Sequence, residues 1–170
     1  GRVTGRPVSF ATLAGFAAPE DAEDGAPPPP GPVIVVPGSK SLTPRFLLLA
    51  ALADGPSRLA NPSPGQDSTF LADALERLGA GVVPTRDGWC VLPGPLRPPD
   101  APIPCGQGGT TARFLAGLAL AWDRPVALAL DAPLGGRPMA GLADALAQAG
   151  KAVALERAPD GAGLLRVSGP

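Results

Sequence analysis

The sequence predicts an α/β (α+β) fold, with strands and helices stacked in layers, and three observations carry that prediction. Strand-like and helix-like segments follow one another in the order βαβαββ, and that order occurs twice. The two occurrences match each other at an offset of about 70 positions, the mark of a duplicated supersecondary unit. The first helix of each unit is apolar on nearly every face, which suits a helix buried between layers.

The elements follow in order. Residues 1–17 form an N-terminal segment with one strand pattern in RPVSFATLAGF. Residues 18–32 (APEDAEDGAPPPPGP) are acidic and proline-rich with nothing to bury, so they read as an extended linker. The repeats then occupy residues 33–170, as units of about 33–94 and 101–170. In the first, PVIVV is a strand, 40–53 a helix, SRLAN a strand and 67–78 a helix. Gly79 suits the left-handed cap that ends such a helix. AGVVPTRDGWCVLPG reads as a hairpin turning at Arg86-Asp87-Gly88, because Asp-Gly favours a tight turn. The second unit echoes this with a helix over 109–121, a strand over 125–130 and a helix over 137–149. AVALERAPDGAGLLRVSG then forms a longer hairpin. The echo is close in wording: RFLLLAALADG from Arg45 against RFLAGLALAWD from Arg113, and ALERLGAGV against ALAQAGKAV.

Composition narrows the function. The formal charge is −1, so any anion recognition must come from local clusters and not from a global field. The scarcity of aromatics, with no Tyr, five Phe and two Trp, argues against a base-stacking platform for nucleic acid. The chain has no His, which removes Ser-His chemistry and His-ligated metal sites and leaves acid–base work to Asp, Glu or Lys. Cys90 and Cys105 lack metal-ligand spacing and read as ordinary thiols of a reducing compartment. No apolar run reaches the roughly 18 residues of a membrane span and no signal-peptide layout appears, so the expectation is a cytoplasmic protein.

The chemistry gathers at the mouths of helices. VPGSKSLTPRF ends a strand and opens a helix, where unpaired N–H groups and the helix dipole already favour an anion. Lys40 adds an ammonium, Ser39 and Ser41 add hydroxyls, and Arg45 adds a planar fork suited to two oxygens. The alternative is a serine cap beside solvated cations. A phosphate-cradling Walker loop fails on spacing, since Ser39 separates Gly38 from Lys40. The equivalent point of the second unit is CGQGGTTARF, where Gly106, Gly108 and Gly109 let backbone approach a ligand and Arg113 matches Arg45. Its alternative is a glycine turn before a helix. Arg137, followed by Pro138, heads the last helix and reads either as a third site cation or as a surface charge. Asp67 heads the matching helix of unit one, as a plain N-cap or as a hydrogen-bond acceptor beside the site.

PGSKSLTPRFLLLAALADG, GQGGTTARFLAG and LGGRPMAGLADALAQAG, in that order, closely resemble the 5-enolpyruvylshikimate-3-phosphate synthases, the 3-phosphoshikimate 1-carboxyvinyltransferases of the shikimate pathway. The resemblance runs from about Val33 to the end and implies the enolpyruvyl transferase fold. It implies transfer of the enolpyruvyl group of phosphoenolpyruvate to the 5-hydroxyl of shikimate 3-phosphate, towards chorismate and the aromatic amino acids. No metal or organic cofactor is required. By resemblance, Lys40, Gly109, Arg113 and Arg137 hold phosphoenolpyruvate, while Lys40, Ser41 and Arg45 hold shikimate 3-phosphate. Glyphosate would compete in the phosphoenolpyruvate pocket, with Gly109 the place where added bulk excludes it. Gln107 and Gly108 stand where the family usually has Asn and Ala, and Pro44 where Asn is common.

Length is the larger departure. The family enzyme has two domains of three units each, with its site in the cleft between them, and its acid–base residues come from later sequence. The expectation is therefore a fragment that carries part of the substrate site, turns over poorly alone and needs the remainder of the enzyme as partner. Neither nucleic acid nor a membrane is expected as partner. A face left bare where a third unit should pack would favour self-association. Two alternatives stand beside this reading. One is a non-catalytic anion-binding module of the same fold. The other is a UDP-N-acetylglucosamine enolpyruvyl transferase, whose first motif usually has Lys-Asn where Lys40-Ser41 stand here.

Overall fold

A computed structural model of the protein describes residues 36–169. The chain divides into a unit of residues 1–35 and a second from Val36 onward, and only the second is described. The N-terminal strand, the proline-rich linker and nearly all of the strand expected at PVIVV lie outside the described residues.

The order of elements is the one the repeat predicts. Helix α1 (Leu42–Ala51) leads to strand β1 (Ser57–Ala60), helix α2 (Gln66–Leu78) and the strands β2 (Gly81–Thr85) and β3 (Gly88–Leu92). Strand β4 (Ile103–Pro104) opens the second unit. Helix α3 (Gly109–Leu118) follows it, running on as a 3-10 turn over Ala119–Ala121, and then strand β5 (Val126–Leu130). Helices α4 (Ala132–Gly135) and α5 (Ala140–Gln148) come next, then β6 (Ala152–Arg157) and β7 (Gly163–Ser168). Each unit builds its own sheet, with strand order β1-β3-β2 in one and β4-β5-β7-β6 in the other. β1-β3-β2 corresponds to β5-β7-β6, both antiparallel, and β4 lies parallel to β5.

The repeat reaches into the helix ends. Gly79 adopts φ 110° after α2; its N–H donates to the Glu76 carbonyl and that of Ala80 to the Leu75 carbonyl. After α5, Gly150 adopts φ 84°, with its N–H on Ala147 and that of Lys151 on Leu146. Both ends are the same six-to-one closure, and it needs a left-handed residue that glycine supplies without strain.

Three helices form the middle of the core. Leu71, Leu75 and Leu78 of α2 are fully buried in one cluster with Leu47 of α1, Leu115 of α3 and Val91 of β3. β5 alternates buried and half-buried residues, so Val126, Leu128 and Leu130 face this core. Each fully buried aliphatic side chain contributes about 1.5–3 kcal/mol of burial free energy.

Four expectations are corrected. The helix expected over 137–149 begins only at Ala140, as α5; a short helix that was not expected, α4, precedes it, with Arg137 and Pro138 in the connection between the two. Proline disfavours the helical conformation for the residue before it and cannot donate an N–H, which accounts for the break. The helix expected over 40–53 is shorter at both ends: residues 40 and 41 form a turn with Ser41 as the N-cap, and the helix stops at Ala51. The first helices are not buried all round: Leu42, Leu49 and Leu52 of the α1 segment are about half exposed, as is Leu120 just beyond α3. Lastly, the Asp87-Gly88 hairpin turns at Arg86–Asp87 with no left-handed residue, and Gly88 already belongs to β3, paired with Thr85. Its missing side chain matters because the Leu59 carbonyl of β1 fills that space.

Candidate functional site

Two buried threonines at matching points of the repeat set the geometry. Thr43 in α1 donates its hydroxyl to the Ser39 carbonyl (2.9 Å) and accepts the N–H of Ser63 (2.8 Å), fixing the loop that leads into α2. Thr111 in α3, fully buried, donates to the Asp67 carbonyl (3.1 Å), tying the first turn of α3 to the first turn of α2. Both hydroxyls serve the fold. The mouths of α2 and α3 therefore open side by side, each presenting the positive end of a helix dipole.

Between them lies an open cleft of about 500 Å³, lined by Lys40, by Gly65, Gln66 and Asp67 at the mouth of α2, by Gln107, Gly109 and Thr110 at the mouth of α3, and by Arg113 and Arg137. Arg113 folds back so that Nη1 donates to the Gly109 carbonyl at 3.0 Å. A side-chain carbon built on Gly109 would stand 2.6 Å from Nη1 of Arg113 and 3.3 Å from Nη1 of Arg137. The two guanidinium nitrogens are thus within about 6 Å of each other over one glycine. Two arginine forks that close together, beside open helix mouths, suit a doubly charged oxyanion.

Lys40 completes the ring of cations from the other unit. Its Nζ stands 3.2 Å from Oδ2 of Asp67, with the lysine side chain mostly exposed and the aspartate mostly buried. Asp67 is not the cap of α2, because Gly65 holds that position and Asp67 lies within the first turn. Of the two readings the sequence left open, the acceptor beside the site is the one the geometry supports.

The structure does not bring Ser41 or Arg45 into this cleft. Arg45 donates Nη1 to the Ser41 carbonyl, four residues back, and its guanidinium lies 5.7 Å from the centre of the Phe114 ring on α3. Arg113 makes the same four-residue return to Gly109, so the two arginines are true counterparts of the repeat. Ser39 spends its hydroxyl oxygen accepting the Leu42 N–H at 3.3 Å. Gly65 and Gln66 went unremarked in the sequence, since neither residue type signals chemistry; only their place opposite the Arg137 loop in the repeat would have singled them out.

Two titrating groups lie away from the cleft. Burial pushes the Cys105 thiol up to about 12, with the charge of Asp131 adding to the effect, so this cysteine is a structural, unreactive thiol. On the rim of the first sheet Asp87 is held below the usual carboxylate range by its hydrogen bond from Arg58. Among the described residues no cluster of His, Cys, Asp and Glu could hold a metal ion, and no helix is long and apolar enough to cross a membrane.

The chain as a whole is similar to known proteins. A family model for EPSP synthase (3-phosphoshikimate 1-carboxyvinyltransferase) matches residues 31–164. The chain belongs to the EPSP synthase family. It is 39% identical over 122 residues to a 3-phosphoshikimate 1-carboxyvinyltransferase of Rhizobium leguminosarum bv. trifolii, covering 71% of this chain and 29% of that protein. It is 36% identical over 140 residues to one of Xanthomonas campestris pv. campestris, covering 80% and 32%. The solved EPSP synthase of Acinetobacter baumannii superposes with a TM-score of 0.71 at 25% identity, over 80% of this chain and 31% of that one. The EPSP synthase fold, with mixed helices and sheets, is therefore the one seen here. The chain spans less than a third of the length of these relatives.

Proposed function

We propose that this chain carries the phosphate-recognition part of a site that transfers the enolpyruvyl group of phosphoenolpyruvate to the 5-hydroxyl of shikimate 3-phosphate. The observation that carries the reading is the meeting of Lys40, Arg113 and Arg137 at two helix mouths that share one cleft. In this reading Arg113 and Arg137, packed over Gly109, take one anionic group of phosphoenolpyruvate. Lys40 takes its other group or reaches the second substrate. Ser41 and Arg45, outside the cleft but on the same helix start, would contact shikimate 3-phosphate from the rim.

The chemistry explains why cations dominate. A proton adds to C3 of the enol, the 5-hydroxyl adds at C2 and loses its proton, and a tetrahedral intermediate forms. Phosphate then leaves with its electron pair while C3 gives up a proton, restoring the double bond. Both substrates carry phosphate and carboxylate, and negative charge builds on the departing phosphate, so fixed cations stabilise the transition state. The groups that move those protons are assigned to the remainder of the enzyme, and the isolated chain binds without substantial turnover. A cytoplasmic setting fits a pathway of small soluble metabolites.

Calorimetric titration with each substrate tests this. Binding of phosphoenolpyruvate or shikimate 3-phosphate is expected, strengthened when the complementary segment of a relative is supplied, with phosphate release then appearing. Absence of binding in both settings overturns the proposal. Binding of both substrates without phosphate release would instead assign a non-catalytic module.

A further inference from the structure

The one carboxylate among the groups lining the cleft stands where a ligand anion would be expected. Oδ2 of Asp67 pairs with Lys40 at 3.2 Å. Its Oδ1 lies 3.3 Å from where a side-chain carbon on Gly108 would stand, so it sits against the residue that caps α3. Asp67 thus fills with an internal charge both the ammonium and part of the helix mouth. Its backbone is fixed by the Thr111 bond, which does not involve the carboxylate.

We propose that Asp67 is a specificity-determining residue, an internal counter-ion that occupies Lys40 in the empty cleft and makes the site discriminate against free phosphate. The inference rests on the reading above that the cleft binds anions. Three cations without a carboxylate would hold any phosphate that arrived, including the phosphate the reaction releases. With Asp67 present, a single phosphate on Arg113 and Arg137 gains Lys40 only by breaking the Lys40–Asp67 pair. A ligand with two anionic groups sets one on the arginines and lets the other replace Asp67 at Lys40, so the broken pair is offset by a new one. Phosphoenolpyruvate has that form and inorganic phosphate does not.

The test uses the full chain, with inorganic phosphate and phosphoenolpyruvate as probes followed by ³¹P NMR titration at low salt. The chain has two lysines, Lys40 and the buried Lys151, whose ammonium donates to the Trp122 carbonyl at 2.7 Å. Selective ¹³Cε-lysine labelling therefore gives one resonance for the site and one that reports the fold. Asp67→Asn should bind inorganic phosphate about two- to fivefold more tightly, as expected for loss of a part-exposed ion pair. Phosphoenolpyruvate affinity should change less, and the preference for it over phosphate should narrow by a similar factor. The Lys40 resonance should move while that of Lys151 stays. In a Lys40→Met background the same substitution should give no gain, because the effect acts through the lysine.

Unchanged or weaker phosphate binding in Asp67→Asn overturns the proposal, as does a gain that survives Lys40→Met or an absence of phosphate binding in every variant. A phosphate pattern as expected, with no binding of phosphoenolpyruvate to any variant, would leave Asp67 in this role and overturn the enolpyruvyl reading. Phosphoenolpyruvate binding in every variant, with phosphate affinity unmoved by Asp67→Asn, would do the reverse.

Discussion

Replacing Gly109 by alanine separates the fold from the site. The backbone there is ordinary helix start, so alanine is not strained, and in a helix it is about 0.5–1 kcal/mol better than glycine. The new carbon would stand 2.6 Å from Nη1 of Arg113, about 0.8 Å inside ordinary contact, and 3.3 Å from Nη1 of Arg137. Both atoms are the far ends of flexible side chains, so they yield at little cost to stability, but they yield out of the positions that define the anion pocket. A charge-assisted hydrogen bond is worth about 1.5–3 kcal/mol, so displacing one arginine fork should weaken phosphoenolpyruvate binding about tenfold or more. Calorimetry gives the affinity and urea unfolding the stability, which should stay within about 1 kcal/mol of the parent. Parent-like affinity, or a loss of affinity that merely follows a loss of stability, would refute the claim that the two arginines converge over Gly109.

Leu75→Ala removes a fully buried side chain from the centre of the core and should cost about 2–5 kcal/mol in urea unfolding; a cost under 1 kcal/mol would mean that α2 is not central. The raised Cys105 thiol protects the fold only while it stays protonated: the unfolded thiol ionises first, near its ordinary value, so stability should fall as pH rises from about 9 towards 12, by at most about 1.4 kcal/mol per pH unit. Cys105→Ala should remove that slope in alkaline unfolding curves, and an unchanged slope would count against it. The half-exposed Leu42, Leu49 and Leu52 should drive association of the isolated chain. Light scattering should show oligomers and apolar-dye binding that Leu49→Glu reduces, whereas a dye-silent monomer would refute the reading.

What the sequence disclosed, it disclosed through repetition. Arg45 and Arg113, matched in the repeat, make the same return to the carbonyl four residues back, and Gly79 ends its helix as Gly150 does at the matching place. Local signals fared worse. Around Arg137 the sequence reading takes Pro138 into the first turn of the helix, whereas the backbone holds Arg137 and Pro138 in a connection and starts α5 at Ala140. At Asp87-Gly88 the dipeptide marked the hairpin correctly for another reason, since what Gly88 admits is the Leu59 carbonyl of a neighbouring strand, a contact between residues far apart in sequence. The exposed stripe on α1 was hidden by composition, because an apolar helix looks the same whether its outer face is covered or bare.

The site shows why matching positions in a repeat need not share a task. Arg45 and Arg113 begin from one local design, a fork returned to the carbonyl four residues back. Arg113 stands beside Arg137 above a glycine and faces the cleft, whereas Arg45 meets the Phe114 ring and braces α1 against α3. The difference lies in what the other unit places opposite each of them. Duplication supplied two equivalent helix mouths, and the asymmetric additions, Lys40 and Asp67 from unit one and Arg137 from unit two, made one cleft of them. A substitution at Arg113 should therefore act on phosphoenolpyruvate affinity, and one at Arg45 on the packing of α1 against α3 together with its rim contact to shikimate 3-phosphate.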